Sequence, residues 1–355
     1  MNEVKTEHLK MLAEYKEKLM KEPKLKFLFL ELTMRCNENC LHCGSHCNDV
    51  QSEELDEYTI MGFLDKIKKD FGTEDTMLCV TGGEPLLRRE FFDIMTYAHR
   101  LGFRWGMTSN GILINDMTAK HLARAGMSTI SVSIDGLKDT HDWFRRTPKG
   151  YAKAMKGIKA LVDNGSFKHV QITTVVHKRN IDELEELFRI VSEADVDSWR
   201  VINIEPIGRA KQHPELLLDD DDYRTLFNFI KEKREKGFPV QYGCTHYLGL
   251  DYEREVRDWY FLCNAGIYTA SIMANGDIGA CLDIERRPET IMGNILTDDF
   301  TEVWKNKFEI FRKPLADMNE KCSACESKQF CGGGSCHSWD YDNNEQQVCF
   351  KDVLF

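Results

Sequence analysis

The stretch KFLFLELTMRCNENCLHCG, residues 26–44, sets the fold and the chemistry together. It opens on an apolar run of strand length. Directly behind that run come Cys36, Cys40 and Cys43 in C-x3-C-x2-C spacing, close enough to share one tight loop. In a chain of 355 residues with 13 cysteines, about 0.02 matches to this spacing arise by chance. Three thiolates on one loop can hold three irons of a cubane cluster and leave the fourth iron open, whereas ferredoxin-type clusters take four cysteines. Cys47 extends the series and would close the site as a fourth ligand. A zinc loop is the other use of such spacing.

Outward from this stretch, short apolar runs alternate with amphipathic segments as far as residue 205. TMLCV (76–80), FRWGMTS (103–109), STISVSI (128–134), HVQITTVV (169–176) and SWRVINI (198–204) read as further strands. Segments 57–70, 89–101, 116–125, 151–164 and 182–194 have helical spacing. Such alternation implies a parallel sheet with right-handed crossovers. Six units predict an α/β fold, a partial (β/α)6 TIM-like barrel over 26–240, with its chemistry at the C-terminal ends of the strands. Residues 1–25 read as an amphipathic helix, and 241–355 as a cysteine-rich extension of irregular backbone that needs metals or cross-links to hold it.

Composition narrows the classes. A hydrophobic content of 42% and a mean hydropathy of −0.44 suit a large buried core in a soluble chain, and no apolar run approaches a membrane span. The N-terminus lacks a signal peptide's apolar centre, so a cytoplasmic protein is expected. A net charge of −11 with no Lys/Arg run argues against a nucleic-acid partner. Four cysteines fall between 36 and 47, seven between 263 and 349, and none from 80 to 243. Reduced cysteines in this setting point to two metal regions.

C-x3-C-x2-C after the first strand of a partial barrel resembles the radical SAM superfamily. The resemblance implies that S-adenosylmethionine chelates the open iron. One electron then breaks its sulfonium bond, and a 5′-deoxyadenosyl radical takes a hydrogen atom from the substrate. Gly82-Gly83-Glu84-Pro85 is similar to the family's GGEP element, which implies a contact to the methionine amino group. Ser109 and Asn110, then Ser133 and Asp135, resemble the nucleoside-facing strand ends, and Arg145 would pair with the methionine carboxylate. Read as bare residues, the same positions are strand-end caps and a surface ion pair.

Cys263-x12-Gly276-x4-Cys281 followed by Cys322-x2-Cys325-x5-Cys331-x3-Cys336-x12-Cys349 is similar to the SPASM extension, with a shorter last gap than usual. The resemblance implies two auxiliary 4Fe–4S clusters, hence three in all. Cys322, Cys325, Cys331 and Cys349 would hold the distal one, and Cys263, Cys281 and Cys336 the proximal one. Cys244 is the candidate eighth ligand, or else a hydrogen donor or a core residue. Asp283 is the candidate base, although related enzymes place their carboxylate directly after the cysteine and Leu282 intervenes here. The resemblance implies a peptide substrate, a ribosomal precursor receiving a thioether, carbon–carbon or oxidised product. With 35 residues ahead of Cys36, either a separate protein presents the leader or the barrel binds the peptide directly, and a flavodoxin or ferredoxin is expected to supply electrons. The alternatives are a small-molecule enzyme trimming tetrapyrrole side chains, and a non-catalytic electron-transfer protein.

Overall fold

A computed structural model describes residues 2–49 and 53–355. Seven parallel strands run in chain order through β1 (Phe27–Glu31), β2 (Met77–Thr81), β3 (Arg104–Ser109), β4 (Met127–Ser133), β5 (His169–Val176), β6 (Ser198–Asn203) and β7 (Val240–Tyr242). The connecting helices are α2 (Glu57–Phe71), α3 (Phe91–Leu101), α4 (Asp116–Arg124), α5 (Lys138–Phe144), α6 (Gly150–Asn164), α7 (Leu184–Glu193) and α8 (Asp220–Glu235), preceded by α1 (Asn2–Lys21). The six expected strands fall within a residue or two of their predicted ends, while α5 and β7 carry too few periodic residues to be read in advance.

The period of two along the strands builds the barrel wall. Leu28 and Leu30, Leu78 and Val80, Ile130 and Val132, and Trp199 and Val201 are buried. Their helix partners are apolar stripes three and four residues apart, such as Ile60, Phe63, Leu64 and Ile67 on α2 and Ile94, Met95 and Ala98 on α3. The alternate residues, among them Glu31, Thr81, Ser133, Thr173 and Arg200, instead line an internal cavity. A barrel whose inner face is polar is built to enclose a ligand.

The extension does not stand apart from this sheet. β8 (Thr269–Ile272) pairs in parallel with β1, and β9 (Asp277–Gly279) and β10 (Gly293–Asn294) follow antiparallel, giving one ten-stranded sheet. The expected boundary near 240 falls in β7, and the sheet continues through it. Residue 1 lies outside the described residues. α1 docks on the extension through Lys5, which donates to the Leu250 carbonyl in α9 (Gly249–Tyr252) and pairs with Glu255 at 2.6 Å. Trp304, on α10 (Phe300–Asn306), is buried. No helix of the described residues is long and apolar enough to cross a membrane.

Candidate active site

The loop after β1 is held by side chains from distant parts of the chain. Asn48 accepts from the Cys36 amide and donates to the Cys36 and Glu38 carbonyls, at 2.9–3.0 Å. Arg209 donates to the carbonyls of Cys40 (2.7 Å) and Cys47 (2.9 Å) and pairs with Asp49 at 2.7 Å. The segment Pro206-Ile207-Gly208-Arg209, after β6, thus acts as a clamp on the cysteine loop. Its arginine carried no such role in the sequence, because the contact spans more than 160 residues.

Cys36, Cys40 and Cys43 line a cavity of about 420 Å³, and none of the 13 cysteines forms a disulfide. Among the described residues, no three cysteine sulfurs lie within 4.8 Å of one another. A tetrahedral zinc with Zn–S bonds near 2.3 Å would bring its sulfurs about 3.8 Å apart. Burial pushes the Cys36 thiol up to about 11 and Cys40 higher still, an effect that binding a cationic cluster reverses. Cys47 hydrogen-bonds to Cys43, which holds Cys43 below its ordinary value and raises Cys47. Cys47 is therefore placed as a thiol neighbour of the triplet, beside Met34 and Ala274.

The GGEP turn lies directly on this loop. The Gly83 amide donates to the Thr33 carbonyl (2.8 Å) and the Glu84 amide to the Arg35 carbonyl (2.9 Å). A Cβ at Gly83 would sit 2.1 Å from the Arg35 carbonyl oxygen, and one at Gly82 2.4 Å from that of Thr33. The glycines thus serve close approach between two backbones. Gly83→Ala is expected to cost about 1–3 kcal/mol and to displace the Cys36 segment. Paired thermal melts and 5′-deoxyadenosine assays would check this, and an unchanged assay would refute the displacement.

Glu84 is fully buried behind the cavity wall, with Pro85 opening the next turn. It accepts from both the Ser109 hydroxyl (3.0 Å to each oxygen) and the Asn110 amide (2.9 Å). Burial pushes its carboxyl up to about 7 against these hydrogen bonds. Gly82, Gly83, Ser109 and Asn110 border the cavity itself, as do Ser133, Asp135 and Arg145. Asp135 and Arg145 are both buried and bonded to each other, Nε to Oδ2 at 2.8 Å, while Arg145 also pairs with Glu38 at 2.8 Å. The sequence offered Arg145 to a ligand carboxylate, but here its partners are two carboxylates of the chain. Burial alone would raise Asp135, yet Arg145 holds it below the usual carboxylate range.

The later cysteines fall into two groups. Cys322, Cys325, Cys331 and Cys349 line one small cavity of about 50 Å³, with the Cys322 and Cys331 thiols raised by burial and by the charge of Cys349. Cys263 and Cys336 share a thiol hydrogen bond, and Cys281 interacts with both. Cys244, after β7, is surrounded differently: burial raises its thiol, and Glu205, Asn203, Tyr242 and Arg200 are its main electrostatic neighbours. Pairing of Val201 with Tyr242 fixes it on the β6 side of the barrel. Cys244, Cys281 and Asp283 nonetheless all border the cavity of the N-terminal triplet, and Asp283 Oδ2 lies 3.9 Å from the Cys281 sulfur.

One cluster went unread in the sequence. Glu205 Oε1 lies 2.8 Å from His246 Nε2 and 3.1 Å from His337 Nε2. These three ligand atoms are close enough to hold a metal ion. The imidazoles keep Glu205 well below the usual carboxylate range, overriding burial, and Glu205 pushes His337 up to about 9. The available signal was position: His246 lies two residues after Cys244, and His337 directly follows Cys336.

The radical SAM superfamily model matches residues 30–191. An AdoMet-dependent heme synthase of Methanosarcina barkeri is 30% identical over 322 residues, covering 85% of this chain and 89% of its own. The chain belongs to the radical SAM superfamily. A model described as an iron–sulfur cluster-binding domain, SPASM, matches residues 263–326. The protein is therefore a radical SAM enzyme with a SPASM domain, and it binds S-adenosylmethionine and iron–sulfur clusters. A second relative, the mycofactocin maturase of Mycolicibacterium smegmatis, is 26% identical and covers 86% of this chain and 76% of its own. The structure of Streptococcus suis SuiB bound to S-adenosylmethionine superposes with a TM-score of 0.72 at 20% identity, covering 88% of this chain and 73% of SuiB. That likeness identifies the radical SAM partial barrel and its C-terminal extension as the shared fold.

Proposed function

We propose that this radical SAM enzyme oxidises a carboxylate-bearing side chain of a tetrapyrrole. The observation that carries the reading is the shared cavity, which runs from Cys36, Cys40 and Cys43 to Cys281, Asp283 and His337. The heme synthase relative, which covers 85% of this chain, supports the substrate class. When bound, S-adenosylmethionine and the clusters supply a hydrogen-abstracting radical and an acceptor for one electron. Removing a hydrogen atom from the carbon β to a carboxylate leaves a radical that, on losing one electron, releases CO2 and forms a carbon–carbon double bond. No proton is left over, so this reaction gives Asp283 no task as a base.

Cys322, Cys325, Cys331 and Cys349 are proposed to close a distal cluster. Cys263, Cys281 and Cys336 would hold a proximal one, with Cys244 available to its remaining iron or as a hydrogen donor. Gly82, Gly83, Ser109, Asn110, Ser133 and Asp135 are proposed to border S-adenosylmethionine, Glu84 and Pro85 to support that wall, and Arg145 to brace it. A flavodoxin or ferredoxin is the proposed reductant.

The test is anaerobic turnover with dithionite, S-adenosylmethionine and an iron-loaded porphyrin carrying propionate side chains. Expected are 5′-deoxyadenosine in step with substrate and loss of CO2 from the porphyrin by mass. The mycofactocin maturase relative supports a second reading, a peptide substrate with Asp283 as base and a separate leader-binding protein. Porphyrin left unchanged, with a mass shift in a co-expressed peptide, would sink the first reading in favour of the second.

A further inference from the structure

Arg200 is the third residue of β6, and the strand's alternation turns it inward with Ile202 while Trp199 and Val201 are buried on the other side. Three arginines border the cavity. Arg145 is paired with Asp135 and Glu38, and Arg209 with Asp49. Arg200 alone has no carboxylate within 4.0 Å among the described residues. Its recorded hydrogen bond runs from Nε to the Thr173 hydroxyl at 3.2 Å, which leaves both terminal nitrogens uncommitted.

The chain makes room for this side chain. A Cβ at Gly243, on the strand register next door, would lie 2.4 Å from Arg200 Cγ and 2.5 Å from Cδ. The missing side chain at 243 is the slot through which the Arg200 stem reaches the cavity. Its guanidinium interacts electrostatically with Cys244, Asp283 and Cys79. A guanidinium withdrawn from bulk water without a counter-charge is costly. Its planar fork matches a carboxylate in two parallel hydrogen bonds.

We infer that Arg200 anchors a carboxylate of the substrate, from the wall between the N-terminal cysteine triplet and Cys281. This rests on the tetrapyrrole reading above and adds the group that orients the macrocycle. Fixing one acidic side chain on β6 presents a neighbouring one to the triplet end of the same cavity.

The test is a double comparison of ligand and protein, read by absorption titration of the porphyrin under anaerobic conditions. The ligands are an iron porphyrin with free propionates and its methyl ester. The proteins, each loaded with clusters, are the parent, Arg200→Gln, Arg200→Lys and Gly243→Ala. Arg200→Gln is expected to weaken the free acid at least about 30-fold and the ester by less than threefold. Arg200→Lys should fall between, having lost the bidentate fork but kept the charge. Gly243→Ala should weaken the acid in the same sense by pushing the Arg200 stem aside, and it guards against misfolding of the charge variants. If acid and ester weaken alike, or the acid binds Arg200→Gln as it binds the parent, Arg200 is not the anchor. If the parent binds neither ligand, the tetrapyrrole reading falls and takes this inference with it.

Discussion

Cys40→Ala is expected to reduce 5′-deoxyadenosine formation at least about 10³-fold and to remove about four irons per chain. Cys40 is the most buried of the three loop thiols, and its carbonyl accepts from the Arg209 side chain. Alanine would remove one of the three proposed cluster ligands and leave a site that neither neighbour can fill. Cys36 is tied to Asn48 through its backbone, and Cys43 is engaged by Cys47. With three cubanes the parent should carry about twelve irons and the variant about eight. Cys47→Ala is the informative companion, because Cys47 touches Cys43 without belonging to the triplet. It should keep the full iron count. A Cys47 variant that loses iron as Cys40→Ala does would make Cys47 a ligand and close the open iron. A parent with about four irons and bound zinc would sink the assignment of the later cysteines.

The barrel was legible because its signals are local. The run at 26–32 and its five successors are strands since β-branched, aromatic and aliphatic residues recur over strand length, and each inter-strand helix carries its own apolar stripe. The cysteine triplet was legible for the same reason: three ligands lie within eight residues. Contacts that close over long sequence distances left no such trace. Arg209 gives no hint of the Cys40 carbonyl 169 positions away, and Glu205, His246 and His337 meet only when β6, β7 and the Cys336 turn are assembled. β8 was hidden for another reason. Its four residues are too short for a periodicity, and parallel pairing with β1 is a tertiary choice. Substrate class was the least legible, since cavity shape and charge arise from the inner face of six strands at once. Peptide was the expectation drawn from the auxiliary-cluster pattern, whereas the heme synthase likeness supports the tetrapyrrole reading proposed above.

Arg145→Gln is the other change with a large expected effect, and it falls on stability. Arg145, Glu38 and Asp135 are all buried, with the guanidinium between the two carboxylates. Removing one member of a buried ion pair costs about 3–5 kcal/mol because its partner stays in low dielectric without compensation. Two carboxylates are stranded here, so the upper part of that range is expected, lowering the thermal midpoint of the cluster-loaded protein by roughly 5–15 °C. Glu38 stands between Cys36 and Cys40 in the cysteine loop, and Asp135 accepts from the Val175 amide near the end of β5. The triad therefore ties the cluster loop to the ends of β4 and β5. Adding Glu38→Gln and Asp135→Asn to the arginine variant should recover part of the loss, since neutral amides are cheaper to bury than carboxylates. A ligand role for Arg145 predicts a different pattern. If it gripped the carboxylate of S-adenosylmethionine, Arg145→Gln would keep its melting point and lose cofactor affinity, and the added amides would rescue nothing.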